Sequence, residues 1–266
     1  MDSKIEPNQI REYAARMVSI LGLSSSPVGV RLLSSDGKVS PGAERLLQHR
    51  YCQALMKARR GRDVLLDGEG ISCPAAATAF GFRPLTPALE SGKGLVGFGI
   101  VSDEVVGRQM FANMPKLKAG EIQRLHLFPL DKAEHVPDLV VVEDEIEKLM
   151  WIVLSYLHAK GGQRVPSSTA VLQATCVDST IIPFLEDRLN FGYGCYGCRD
   201  ATDIGNNETV LGFPIRFLPS IVEHLEFLGR KAISTSRSKK AWHAPQKEKV
   251  SEGCVEEGNK GLREGI

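Results

Sequence analysis

An excess of charge of either sign is missing from this 266-residue chain. Its 33 lysines and arginines stand against 32 aspartates and glutamates, a formal net charge of +1. So even a balance gives no global field for nucleic acid or an anionic membrane, and neither is expected as a partner. Long apolar runs are missing too. The longest, Leu149–Leu157, contains Ser155 and Tyr156 and falls far short of the ~20 residues that span a bilayer. Met1–Pro7 is charged, with no apolar signal core behind it, so the expected location is cytoplasmic. Familiar catalytic spacings are absent as well. There is no G-x-x-x-x-G-K-[ST] phosphate loop, no G-x-S-x-G and no H-E-x-x-H, which disfavours simple hydrolases and zinc proteases. Gly92-Lys-Gly94 and Gly97-Phe-Gly99 lack the acidic residue and strand–helix context of a dinucleotide site. No internal repeat is found.

What the chain does contain is a 42% hydrophobic composition suited to a globular body. Apolar periodicity predicts helices over 8–22, capped by Asn8 and closed by Gly22, and over 145–160 and 219–231. Ser40-Pro41 reads as a helix start, with the helix running to Arg60 and placing His49 and Cys52 on one face. Strands are expected over 27–33, 63–67, 122–127, 137–142 and 168–176. Another is expected over 209–217, where interior Pro214 argues for a sheet edge. Short helices are expected over 75–79 and 102–113. Residues 84–99 read as irregular, forming a lid or an edge strand. The step from Pro137–Val142 into the helix after Glu145 is an α/β unit. The fold class is α/β or α+β, a mixed sheet with packed helices in one compact body over 1–232. Residues 233–266 read as a flexible polar tail, with Trp242 as its one potential anchor.

There are six cysteines, Cys52, Cys73, Cys176, Cys195, Cys198 and Cys254. Without a signal peptide they are expected to be reduced rather than a disulfide framework. The densest stretch is Asn190–Arg199, with three glycines, two tyrosines, Cys195, Cys198 and Arg199. Cys73 precedes a proline that keeps it out of the helical region at a helix start. Thiolates from separate elements converging on one site are what an iron–sulfur cluster uses. Structural zinc prefers compact ligand pairs, and only Cys195/Cys198 resembles one. The same pair could act as a redox dithiol. Taken singly, Cys52 and Cys176 read as buried small hydrophobes. Cys254 lies in the tail, away from any preorganised site.

Several landmarks occur in order: Pro27-Val-Gly-Val, Arg50-Tyr-Cys-Gln-Ala-Leu55, Ser72-Cys-Pro74, Met114-Pro115, Phe128-Pro-Leu130 and Pro137-Asp-Leu-Val-Val. Cys176 and Gly194-Cys-Tyr-Gly-Cys-Arg199 follow, and then Gly212-Phe-Pro214. This order resembles the DUF169 family of archaeal and anaerobic bacterial proteins, over residues 24–217. The family name stands for an unknown function, so the resemblance supplies no reaction. It implies that Cys52, Cys73, Cys176 and Cys195 lie at motif positions, with Cys198 in the same segment. An anaerobic setting favours an oxygen-sensitive cofactor.

The expected function is therefore an iron–sulfur protein with a redox or cofactor-handling role. Its cofactor is a [4Fe–4S] cluster held by Cys52, Cys73, Cys176 and Cys195, with Cys198 as alternate ligand or neighbouring thiol. The alternative is a non-catalytic small-molecule or metal-binding module with structural thiols. Arg199 and Arg50 are candidates to hold an anionic ligand or offset cluster charge; otherwise Arg199 pairs with Asp200, Asp203 or Glu208. A small anionic ligand or an electron-transfer partner is the expected partner. Tyr193 and Tyr196 would wall a pocket or shield the thiols.

Overall fold

The computed structural model describes residues 5–243. Helix α1 (Pro7–Leu21) buries Ile10, Ala14, Met17 and Leu21 and ends at Gly22 in the left-handed conformation. Its cap is Glu6, whose N–H donates to Gln9 Oε1 at 2.9 Å, so Asn8 falls inside the helix. Strand β1 (Val28–Leu33) follows. The helix expected from Ser40 does not form there. Ala43 N donates to Ser40 O, which makes Pro41-Gly42 the centre of a β-turn, Pro–Gly being a turn pair before it is a helix start. The chain then makes a two-residue strand, β2 (Glu44–Arg45), and α2 runs only over Tyr51–Arg59. His49 consequently precedes the helix and does not share a face with Cys52.

Beyond it lie β3 (Val64–Asp67) and α3 (Pro74–Ala79). Residues 84–99 make no edge strand; they hold two short helices, α4 (Pro87–Glu90) and α5 (Lys93–Gly97). Helix α6 (Glu104–Ala112) is capped by Asp103 rather than Ser102, its carboxylate accepting from Val105 N and Val106 N. Strands β4 (Arg124–Pro129) and β5 (Leu139–Glu145) lead into α7 (Ile146–Ala159).

The strand expected over 168–176 is a correction. Residues 163–173 are irregular, and Ala174–Ile181 is a π-helix running into α8 (Ile182–Glu186). Its wide turn is held by side chains, since the Ser179 and Thr180 hydroxyls both donate to Thr175 O, at 2.7 and 2.9 Å. A short strand β6 (Asn190–Gly192), α9 (Tyr196–Ala201), β7 (Glu208–Pro214), α10 (Leu218–Gly229) and α11 (Ala232–Arg237) complete the described elements used below. The boundary expected at 232 falls at the start of α11, where Ile233 is buried and Arg237 pairs with Glu147. Trp242 is 82% exposed. Cys254 and the rest of the tail lie outside the described residues.

The strands form one sheet in the order β2-β3-β4-β1-β5-β7-β6. All neighbours are antiparallel except β2 and β3. This makes the fold α+β. β7 is not an edge, because β5 pairs along its length and β6 covers Val210–Gly212. Pro214 lies beyond β6, so its missing N–H costs no ladder bond there.

Strand alternation sends alternate side chains to two cores. Val28, Val30, Leu139, Val141 and Val210 pack on α2, α3 and the π-helix. Val140, Val142, Leu211 and Phe213 pack on α1, α7 and α10. The first face carries the site; the second anchors the sheet.

On the second side, His158 of α7 stacks on His224 of α10, with ring centroids 3.7 Å apart and planes 7° apart. Burial and the neighbouring His158 hold His224 below its usual value of 6.5. As pH falls through that value the unfolded chain takes up the proton before the folded one does, so stability is lost toward acid. Urea midpoints should fall between about pH 7 and about pH 5. The fall should be shallower in His224→Gln, and parallel curves for the two proteins would contradict the assignment.

Candidate functional site

Four helix starts on the first face each carry a cysteine near their first turn. Cys52 is the second residue of α2, after Arg50, whose N–H donates to Gln53 Oε1 at 2.9 Å. Cys73 is the N-cap of α3, held extended ahead of Pro74. Cys176 is the third residue of the π-helix. Cys195 is the N-cap of α9, its sulfur accepting from Cys198 N at 3.3 Å. Helix starts leave N–H groups unpaired, a surrounding that favours negative charge.

All five thiols, Cys52, Cys73, Cys176, Cys195 and Cys198, line a single cavity. Four are buried, and Cys73 is half-buried. The Cys195 thiol donates to Cys198 Sγ at 3.0 Å, and Thr175 Oγ1 lies 3.0 Å from Cys198 Sγ. The turn into this loop needs Gly194, whose φ of 80° few other residues would accept.

The thiols share a low-dielectric space. Burial pushes Cys176 well above its usual value, with Cys73, Cys195 and Cys198 adding to it. The bond to Cys198 and then burial raise Cys195. For Cys198 the bond from Cys195 lowers the value, but the bond with Cys52 and burial outweigh it and push it up to about 12. Thiols raised in this way, as Cys176, Cys195 and Cys198 are, can still become thiolates at a metal centre, because its positive charge displaces the protons. Among the described residues no three His, Cys, Asp or Glu side chains stand close enough to hold a single metal ion.

The arginines have structural partners. Arg50 donates from Nη1 to Gly197 O at 2.9 Å and to Asp200 Oδ2 at 3.3 Å, which ties α2 to the cysteine loop. Arg199 is not among the cavity-lining residues. It donates to the carbonyls of Gly205, Tyr193 and Glu208. The ion pairs expected of it belong to others: Arg50–Asp200, Arg60–Asp203 and Arg59–Glu208. His49 bonds to Leu47 O through Nδ1 at 2.7 Å and lies off the cavity. Tyr196 lines the cavity but is 56% exposed, and Tyr193 is exposed too.

Several contributors escape a sequence reading. Thr175 meets Cys198 only because the π-helix lies against α9. Tyr51 reaches across to Thr180, with oxygens 2.8 Å apart, in the buried interior. Glu143 had a signal, since it shares the strand parity of inward-facing Leu139 and Val141. Its carboxylate is buried 3.6 Å from Arg59 Nη1. Burial outweighs Arg59, and with Glu208 and Cys195 adding, its pKa rises to about 8. Neither of its oxygens has a hydrogen-bond partner.

Comparison with known proteins covers the whole site. The profile of the DUF169 family, described as uncharacterised ArCR, matches residues 16–224. The uncharacterized protein MJ0308 of Methanocaldococcus jannaschii is 30% identical over 225 residues, 84% of this chain and 96% of its own. No solved structure matches.

Proposed function

The chain belongs to the DUF169 family, and from that premise we propose that it is an iron–sulfur protein with a redox or cofactor-handling role. Cys52, Cys73, Cys176 and Cys195 are the ligands of a [4Fe–4S] cluster, and Cys198 is the thiol beside them. The observation that carries this reading is the gathering of five thiols from four separate elements on one cavity. All five belong to the core on the sheet's first face, and none to the core on the second.

When bound, such a cluster supplies one-electron transfer. The chain's own residues do the rest. The helix starts of α2 and the π-helix present unpaired N–H groups near the thiolates. Thr175 holds Cys198, and Arg50 pins the loop through Gly197 O. Half-buried Cys73 is the ligand nearest solvent, so it marks the side from which iron or an electron partner would approach.

A second reading has one observation in its favour. Strand β6 followed by Cys195-x-x-Cys198 opening α9 is the local setting of a redox dithiol. Against it, such a nucleophile needs a lowered thiol pKa, and Cys195 is raised. Purification without oxygen tests the main reading. About four iron and four acid-labile sulfide per chain, with a brown sulfide-to-iron absorption, are expected. A colourless, iron-free protein after anaerobic reconstitution would exclude it.

A further inference from the structure

Opposite the thiols, the same cavity becomes apolar. Its volume is about 320 Å³, within the range of small-molecule sites of roughly 300–1,000 Å³. The apolar wall is Leu89, Leu95, Phe98, Ile100 and Phe111 from the α4–α6 segment, with Leu172 ahead of the π-helix. Leu89, Leu95, Phe111 and Leu172 are buried, whereas Phe98 is 63% exposed. Phe98 and Tyr196 therefore combine exposure to solvent with a place in the lining, as residues at a mouth do. An apolar jacket built only to shield thiols would not leave two aromatic rings in water.

Charge selects what could enter. Arg50 and Asp200 are the charged side chains of the lining, and they face each other at 3.3 Å. Arg199 spends its guanidinium on main-chain carbonyls. An anion here would lose its water and meet an arginine whose charge Asp200 already offsets, a net cost. Neutral polar residues line the same space; Tyr51 and Thr175 are bonded to Thr180 and Cys198, whereas Ser72 and Gln173 are offered to a ligand. Gln173 sits at φ 56°, a strained setting for a residue other than glycine. Its carbonyl accepts from Cys176 Sγ at 3.5 Å, so the residue joins the lining next to that thiol.

We propose that this cavity binds a compact, uncharged organic molecule with a largely apolar body and a neutral hydrogen-bonding group. The body lies against Leu95 and Phe111, and the polar group meets Gln173 or Ser72. This revises the anionic ligand expected from the arginines. It rests on the cluster reading only in making the cluster the group that the molecule faces; the cavity is present without it.

The test uses the full chain, reduced and kept from oxygen, with and without iron, and N-phenyl-1-naphthylamine as a neutral probe that fluoresces in apolar surroundings. Saturable binding is expected, with competition by cyclohexanol and none by cyclohexanecarboxylate. Leu95→Trp fills the cavity and should weaken the probe about tenfold or more. Phe98→Asp changes only an exposed rim and should weaken it severalfold; it decides the matter alone if Leu95→Trp does not fold. Absence of saturable binding, equal competition by the carboxylate, or unchanged affinity in the folded variants would overturn the proposal. Iron and sulfide are counted on the same samples. Probe binding by iron-free protein that cannot be loaded fails the cluster and keeps the cavity, and iron without probe binding does the reverse.

Discussion

Cys176→Ser protein, purified without oxygen, is expected to be colourless and to hold at least about tenfold less iron than the unaltered chain. Loss of a group that only hydrogen-bonds a metal ligand typically costs 10–100-fold in metal affinity, and a ligand lost outright should cost no less. A serine hydroxyl is a hard donor that does not ionise in a buried apolar site, whereas a thiolate is the soft donor that iron–sulfur centres use. Cys176 is buried on the π-helix, with no backbone freedom to offer a replacement. The same loss is expected for Cys52→Ser, Cys73→Ser and Cys195→Ser. Cys198→Ser should keep most of the iron, because on the proposed reading Cys198 is the thiol beside the four ligands, and a serine hydroxyl can still bond to Thr175. Thermal melts of the iron-free proteins separate the two meanings of a change. A structural thiol lowers the melt of the iron-free chain, and a ligand lowers the iron count far more than the melt. Five variants with unaltered iron would refute the site.

Gly212→Ala is expected to be the most damaging single methyl group in the molecule. Gly212 lies in β7 between Val141 of β5 and Asn190 of β6. A Cβ there would stand 1.8 Å from Ser179 O and 2.7 Å from Ser179 C. Both are main-chain atoms of the π-helix, so no side chain can swing aside. Either the π-helix lifts from the sheet or the strand bows, at a cost of about 3 kcal/mol or more. For a chain of this size that corresponds to a melting temperature lower by roughly 6–12 °C. Iron content should fall with it, because Cys176 rides on the displaced helix. Gly197→Ala is the control. Its Cβ would meet nothing closer than Arg50 Nη1 at 3.7 Å, and its melt should stay within about 0.5 kcal/mol of the original. A Gly212→Ala protein that melts with the original would show that the π-helix does not rest on the sheet here.

These two residues also mark what the sequence could convey. Where apolar residues recur with a helical period, as in α1, α7 and α10, or run nearly unbroken, as in β5, the chain announces its elements, because those residues must leave water whatever their partner. The π-helix is different. Its first three residues read as the end of a strand over 168–176, and its wide turn comes from hydroxyls returning to Thr175 O and from the close seat on Gly212, contacts that exist only once the sheet is built. Residue type singled out the cysteines, but their meeting is a property of the sheet order, which places α2, α3, the π-helix and α9 on one face. The partners of the arginines are hidden from the sequence for the same reason. A guanidinium beside a cysteine suggests an anion, and only the fold reveals that carbonyls already occupy it. The apolar wall left no trace, since Leu89, Leu95 and Phe111 lie on helices too short or too irregular to set up a periodic signal.

The scattering of the thiols sets a timetable for manufacture. Position 52 leaves the ribosome long before position 198, and the elements between them must form and dock before the thiols share a space. Contacts so distant in sequence form late, after the long loop closures they require. Until then Cys52 and Cys73 belong to a growing chain with no cavity around them. Metal offered early would meet at most stray pairs of sulfurs, so on the proposed reading loading would belong to the finished chain, through the side where Cys73 is half-buried. Once loaded, the centre would join early and late segments at a single point, and removing it should loosen the two ends of the thiol site together.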